Sequence, residues 1–401
     1  MEDKPIFTPF SKQDLIPQPE YLEVPRKKEK FSIGIPKESN NQEKRIGLTP
    51  DAVEVLVNNG HHISIETNAG EGANFTDQEY ADAGAEIVYN RETIFQKSII
   101  LKVGPLNNEE IEWIKPNTTL ISSVPANSLS KHYFTELSKK KITAIGYEFI
   151  KDEQDHLPVL RILSEIAGTT AVLVGSELMS TENGGNGILM GGVTGVRPTE
   201  VVILGAGTVA ENATRTAIGL GASVRVFDNS LTRLRRLQQN IGLRISTSTI
   251  DPKELGKALM RCDLAIGALR GDTRTPCVVT EQMVNRMKPG AVIIDISIDQ
   301  GGCFETSEIT THDNPTFRKN DVIHYCVSNI TSRVSRTSSK ALSNYFLSYI
   351  LRISEEGGFA TVVKTDKTIR NDVYLYHGRV TKKNLSDRFD LPFHDINLLI
   401  V

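Results

Sequence analysis

The 401-residue sequence predicts an α/β protein made of two doubly wound, mostly parallel-sheet lobes with a cleft between them. Three observations predict it. Apolar runs of strand length alternate with helical stretches through the first 150 residues. A second alternation is built around Val201 to Ala210, where an apolar run ends in a Gly-x-Gly turn. A long helical pattern, Ser338 to Ile353, follows the second alternation and is expected to pack back on the first lobe. The chain then divides into a tail (1–30), the first part of one lobe (31–157), a nucleotide lobe (158–336) and a return to the first lobe as a long helix and C-terminal tail (337–401).

Taken in order, residues 1–30 are polar and end in Arg26-Lys27-Lys28-Glu29-Lys30, which reads as a surface or disordered tail. Phe31 to Pro36 reads as a strand. Pro50 to Asn59 reads as a helix, with proline at its start and Gly60 after its end. His62 to Glu66 is a strand, and Thr76 with Glu79 forms a capping box for a short helix. Ser98 to Val103, Thr119 to Val124 and Ile142 to Tyr147 are strands, with a helix from Leu129 to Lys139 among them. Ile162 to Thr181 is a long helix rich in small residues that carries the chain into the second lobe. Gly184, Gly185 and Gly187 form a loop, and Leu264 to Leu269 and Ala291 to Ser297 are buried strands of the second sheet.

The Gly-x-Gly turn carries the first chemistry. A strand ends at Gly205-Ala206-Gly207, a helix follows, and a second strand, Ser223 to Phe227, ends on Asp228. Gly205 permits the tight turn, Gly207 lets a pyrophosphate approach the backbone, and Ala210 lets the helix pack close to the strand. The helix start offers free N–H groups to phosphate. Asp228 stands where an acid accepts the adenosine ribose hydroxyls, and its charge selects NAD over NADP. Arg233 is too far along for the usual 2′-phosphate clamp unless it leans back. A Rossmann-like dinucleotide unit is the expectation.

Composition bounds the partners. A net charge of −3 points to neither nucleic acid nor an anionic membrane. No run of 18 apolar residues predicts a membrane span, and no apolar stretch near the N-terminus predicts a secretory leader. Cys262, Cys277, Cys303 and Cys326 lack metal-ligand spacing and read as reduced, mostly buried thiols of a cytoplasmic protein with no metal centre.

Several motifs resemble the alanine dehydrogenase and transhydrogenase alpha-subunit family. They are Ile35-Pro36-Lys37-Glu38-Ser39, Glu43 to Pro50, Ala69 to Ala73, Ser164 to Gly168, Gly187 to Val193, Asp295 to Glu305 and Tyr325 to Asn329. The resemblance covers Phe31 to about Gly358, and Thr311 to Phe317 looks like alanine dehydrogenase rather than transhydrogenase. It implies that Arg45 holds the substrate carboxylate, as a planar guanidinium suits. Asp299 matches the aspartate beside the nicotinamide, although an aspartate there also suits a turn cap. Ser164 and Asn329 match positions near the nicotinamide half of the cofactor. A homo-oligomer, with a hexamer as one form, is implied too.

Two departures stand out. The family's Lys-x-Lys-Glu-Pro run reads Lys102-Val103-Gly104-Pro105 here, so the substrate-binding lysine is absent at Gly104. The family's catalytic histidine is replaced by Pro125. Lys102 lies one strand repeat back, roughly 6.6 Å, on the same side as position 104. It is expected either to take over catalysis or to keep its head in water. The leading expectation is an NAD-dependent dehydrogenase of L-alanine or a related small amino acid, yielding pyruvate or another 2-oxo acid. The alternatives are hydride exchange between nicotinamides and an NAD-binding protein without the reaction.

Overall fold

The computed structural model describes residues 28–400, apart from 126, 153, 272 and 273. Residues 1–27 of the expected tail lie outside the described residues. Fifteen strands are described, in two sheets. They are β1 (Ser32–Ile35), β2 (His62–Glu66), β3 (Glu86–Val88), β4 (Ile99–Leu101), β5 (Thr119–Ser122), β6 (Thr143–Gly146), β7 (Glu200–Leu204) and β8 (Ser223–Phe227). Then follow β9 (Ser246–Ser248), β10 (Leu264–Gly267), β11 (Val292–Asp295), β12 (Thr316–Lys319), β13 (Val322–Tyr325), β14 (Val373–Tyr376) and β15 (Arg379–Val380).

The first sheet runs β15-β14-β6-β5-β4-β1-β2-β3 and the second β12-β13-β11-β10-β7-β8-β9. From β1 to β6 every pairing in the first sheet is parallel. In the second, only β12 is antiparallel. The central strands are apolar on both faces, as strands covered by helices on both sides must be. The strand order reverses between β1 and β4 in one sheet and between β7 and β10 in the other. Those are the switch points where open α/β sheets hold ligands beyond the carboxyl ends of their strands.

Two long helices tie the lobes together. The helix Pro158–Leu178 is long and apolar enough to cross a membrane by length and composition, although Arg161, Glu165 and Glu177 interrupt its apolar run. Here it packs against the helix Thr208–Gly219 and the helix Ser335–Glu355. A Cβ at Gly168 would collide with the Val209 carbonyl, so glycine sets that close crossing. The helix Ser335–Glu355 packs against core residues of the first sheet. Its Leu342, Phe346, Ile350 and Ile353 are buried in one cluster with Ile33, Ile35 and Ile63. Each such side chain contributes roughly 1.5–3 kcal/mol by leaving water.

Three sequence expectations change here. The helix Ser335–Glu355 is not the last element. Residues 359–399 form four more helices and the β14–β15 hairpin, so no C-terminal tail is seen among the described residues. Apolar Val373, Tyr374 and Leu375 pair antiparallel with β6, and His377-Gly378, both at positive φ, make the tight turn. β3 was unforeseen because three residues leave no periodicity to read. Lys28 to Lys30 are held against the helix Ser335–Glu355, with Glu29 N–H donating to the Ser354 carbonyl.

Candidate active site

The nucleotide turn forms at the end of β7. Gly205 adopts φ +111°, and a Cβ there would lie 2.5 Å from the Ala268 carbonyl oxygen. The Ala206 N–H donates to Asp228 Oδ2 at 2.8 Å, fixing the acid at the end of β8. Gly207 precedes the first turn of the helix Thr208–Gly219, and among the described residues no atom beyond its chain neighbours comes within 4 Å of where its Cβ would stand. That space, beside the helix's unpaired first-turn N–H groups, fits a pyrophosphate. Ala210 is fully buried on the inner face of that helix. Arg233 does lean back. Its Nη2 donates to Asp228 Oδ1 at 2.9 Å, and the Ser230 N–H shares that oxygen at 2.7 Å.

Across the cleft, Arg45 lies in the loop after β1. Its Nε and Nη2 donate to Glu43 at 2.7 and 2.5 Å, and its Nη1 donates to Thr331 Oγ1 of the nucleotide lobe at 2.9 Å. Three of five guanidinium N–H groups are thus used, leaving one on each Nη for an end-on carboxylate. Burial opposes both charges, but their pairing outweighs it, holding Arg45 up and Glu43 down. Beside them is a pocket of about 190 Å³ lined by Glu38, Glu43, Arg45 and Asn68. Pockets for drug-sized ligands run to about 300–1,000 Å³, so this one suits a small acid.

The lysine-lacking corner is filled by a carboxylate. Glu38 Oε1 accepts from the Val103 N–H at 2.7 Å and Oε2 from the Gly104 N–H at 3.2 Å. A Cβ on Gly104 would stand 3.0 Å from Glu38 Oε2. Burial pushes Glu38 up to about 7, against the pull of Lys102. Neither fate foreseen for Lys102 holds. It is 1% exposed, so its head is not in water. Its ammonium donates to Glu110 at 2.7 Å, Ser39 Oγ at 3.0 Å and the Pro105 carbonyl at 3.1 Å, so all three N–H groups are spoken for. The expected catalytic role finds no free donor, because Glu110, from the helix Asn108–Trp113, claims the charge.

Asp299 lies on the short 3-10 turn Ile296–Gln300 after β11, open to the cleft. The surrounding protein pushes its carboxyl up to about 6, against the Ser328 hydroxyl and the Arg45 charge. Asn127 of the first lobe donates to its backbone carbonyl at 2.5 Å. Buried Asp295 shapes that turn by accepting from the N–H groups of Ser297 and Cys303 and from the Ser307 hydroxyl. Asn329 is engaged at both ends: its Nδ2 donates to the Gln42 carbonyl at 2.8 Å, and Oδ1 lies 3.1 Å from His312 Nε2. Ser164 is half-buried, one turn before Gly168 on the helix Pro158–Leu178. Gly168 meets Val209 and Thr169 meets Thr216, so Ser164 lies toward the nucleotide turn.

One site residue the sequence reading left out is Glu148, just after β6. Both its oxygens accept from the Val124 N–H at 3.0 Å, next to Pro125. Burial pushes it up to about 7, against Arg45 and Arg270. The available signal was positional: it is a carboxylate one step past the end of a buried parallel strand.

Two family models match the chain, "Alanine dehydrogenase/PNT, N-terminal domain" over residues 34–167 and "Alanine dehydrogenase/PNT, C-terminal domain" over residues 171–383. The match therefore runs past Gly358 into the C-terminal hairpin. The chain is 40% identical to an alanine dehydrogenase of Mycolicibacterium smegmatis over 365 residues, 90% of this chain and 98% of that one. It is 38% identical to alanine dehydrogenase 2 of Staphylococcus aureus over 368 residues, 91% and 98% of the two chains. A solved L-alanine dehydrogenase superposes with a TM-score of 0.84 at 35% identity, covering 90% of this chain and 99% of that chain. A transhydrogenase from Sinorhizobium meliloti shares the fold, with a TM-score of 0.73 at 22% identity over 88% and 99% of the two chains. The chain belongs to the alanine dehydrogenase/PNT family.

Proposed function

We propose that the chain is an NAD-dependent L-alanine dehydrogenase, interconverting L-alanine with pyruvate and ammonia. The observation that carries this reading is the pairing of two switch points across one cleft. An arginine with two free donors lies at one, and a dinucleotide turn followed by an acid lies at the other. The residues fit NAD: the open space at Gly207 takes a pyrophosphate, and Asp228 Oδ2 stands beside the turn for the ribose. When bound, the nicotinamide accepts the hydride from the substrate Cα.

The chain's own groups do the rest. Arg45 binds the substrate carboxylate end-on through its two free N–H groups, while Glu43 and Thr331 fix the guanidinium plane. Asp299, at the rim of the nucleotide lobe, orients the reacting carbon's substituents or takes up a proton there. The bridge from Asn127 to Asp299 and the one from Arg45 to Thr331 hold the lobes in register around the substrate and narrow the path for water. Replacement of the family lysine and histidine favours the two alternatives, hydride exchange and lost activity. Against them stand the relatives named alanine dehydrogenase at 38–40% identity, whereas the transhydrogenase likeness concerns fold alone.

The enzyme is further read as a cytoplasmic homo-oligomer. Exposed Leu189, Val193 and Val196 form one loop, with Leu220 against Gly191 of the same loop. Such a patch suits a second copy. A light-scattering mass equal to one chain would refute the oligomer. NADH consumption with pyruvate and ammonium tests the reaction itself: consumption that needs both substrates supports it, and none with NADH bound refutes it.

A further inference from the structure

The reaction proposed above needs proton transfers at the nitrogen and oxygen of the reacting carbon, and the inference made here rests on that reading. The groups that make such transfers elsewhere in the family are glycine and proline in this chain, and Lys102 has no free donor. The carboxyl ends of β5 and β6 supply another group. Glu148 follows β6 and reaches to Val124 at the end of β5, with its carboxyl beside Pro125. It is partly open in a part of the molecule where the lobes face each other: Arg45 acts on it from its own lobe and Arg270, after β10, from the other.

We propose that Glu148 is the proton-transfer residue of this site. In the oxidative direction the substrate amine first loses a proton to solvent, and loss of the hydride leaves an iminium. The Glu148 carboxylate takes a proton from water as the water oxygen bonds to the iminium carbon. The carboxyl then returns that proton to nitrogen, and the C–N bond breaks as the hydroxyl electron pair forms the carbonyl. The hydroxyl proton passes to the carboxylate and on to solvent, so ammonia, the 2-oxo acid and two protons leave. The reductive direction runs the same steps backwards.

Glu148 is better placed for this than Glu38. The two Glu38 oxygens are held by separate N–H groups, with Lys102 3.7 Å away. The Glu148 carboxylate takes backbone N–H groups from Val124 and from Glu148 itself, and no ammonium pairs with it as Lys102 does with Glu38 among the described residues. Its charged and titratable surroundings are Arg45 and Arg270, with Tyr147 on its own loop and Tyr374 on β14. A value of about 7 lets it both accept and donate protons near neutrality.

The test compares wild type with Glu148→Gln, which keeps an oxygen for the Val124 N–H and loses the titration, and with Glu148→Asp. NADH binding, followed by its fluorescence, confirms that each variant is folded. Glu148→Gln is expected to lose roughly 10²–10⁴-fold in kcat with little change in KM, and Glu148→Asp to recover part of it. In the reductive direction, wild-type kcat falls as pH rises through about 7, since the acid form must protonate the departing hydroxyl. The glutamine variant lacks that limb. A residue that only clamps Val124 would leave both readouts unmoved. A wild type that turns over while Glu148→Gln matches its kcat and pH limb overturns the assignment of Glu148 alone. A wild type with no turnover on any amino acid overturns the dehydrogenase reading and the proton transfer together.

Discussion

At the scale of single residues, Arg45 and Lys102 show how a shared motif and a buried partner differ in what they reveal. Arg45 was legible as a candidate because the resemblance that suggests its role rests on a run of neighbours, Glu43 to Pro50. Lys102 was not, because the acids that claim it stand at positions 38 and 110, on other elements. Arg45→Ala should mainly raise the KM for the amino acid, since the anchor binds ground and transition states alike. Loss of a charge-assisted pair, about 1.5–3 kcal/mol, predicts roughly a 10–100-fold drop in kcat/KM in steady-state kinetics with NADH binding unchanged. Asp299→Asn should act on kcat instead. Lys102→Met should reveal itself in stability. It leaves Glu110, which is fully buried, with Arg91 as its remaining ion pair among the described residues, a loss of about 3–5 kcal/mol readable by denaturant unfolding.

At the scale of elements, strand–turn–helix–strand–acid was readable at Gly205 to Asp228 because each step demands a particular residue type. Arg233, five residues on, was in reach of the acid only if it leaned back, and the structure shows that it does. That contact changes a prediction. Asp228→Ala removes the proposed ribose acceptor and also frees the Arg233 guanidinium. Calorimetric titration should therefore show weaker NAD binding and a smaller advantage over NADP than a simple loss of charge repulsion would give. An unmodified protein binding NADP more tightly than NAD would contradict the role of Asp228. The β14–β15 hairpin had a partial signal, His-Gly after the apolar run Val373 to Tyr376, but the polar segment that follows gives no second apolar run to pair it with. The burial of Val373, Tyr374 and Leu375 makes it part of the sheet edge rather than a tail.

At the scale of the molecule, the two-lobe α/β class follows from periodicity and was legible throughout. The lobes' mutual placement was not, since it rests on side chains such as Gln42, Asn127 and Thr331 that carry no pattern. The fold also gathers carboxyls whose pKa burial raises: Glu38, Glu148 and Asp372, each to about 7. A group raised in the folded state contributes stability that is present below its unfolded pKa and lost as pH rises through its folded one. Their share of the stability should therefore fall between about pH 4 and pH 7 and level off above. Asp372→Asn, keeping an acceptor for the Tyr349 hydroxyl, should flatten that slope in thermal unfolding; an unchanged slope would remove Asp372 from it. The decisive measurement is NADH formation by the wild-type chain over a panel of L-amino acids at alkaline pH. L-alanine is expected to head the panel, with kcat/KM falling as the side chain outgrows a pocket of about 190 Å³. Turnover with none of them, NADH binding intact, would contradict a working dehydrogenase without the family's lysine and histidine.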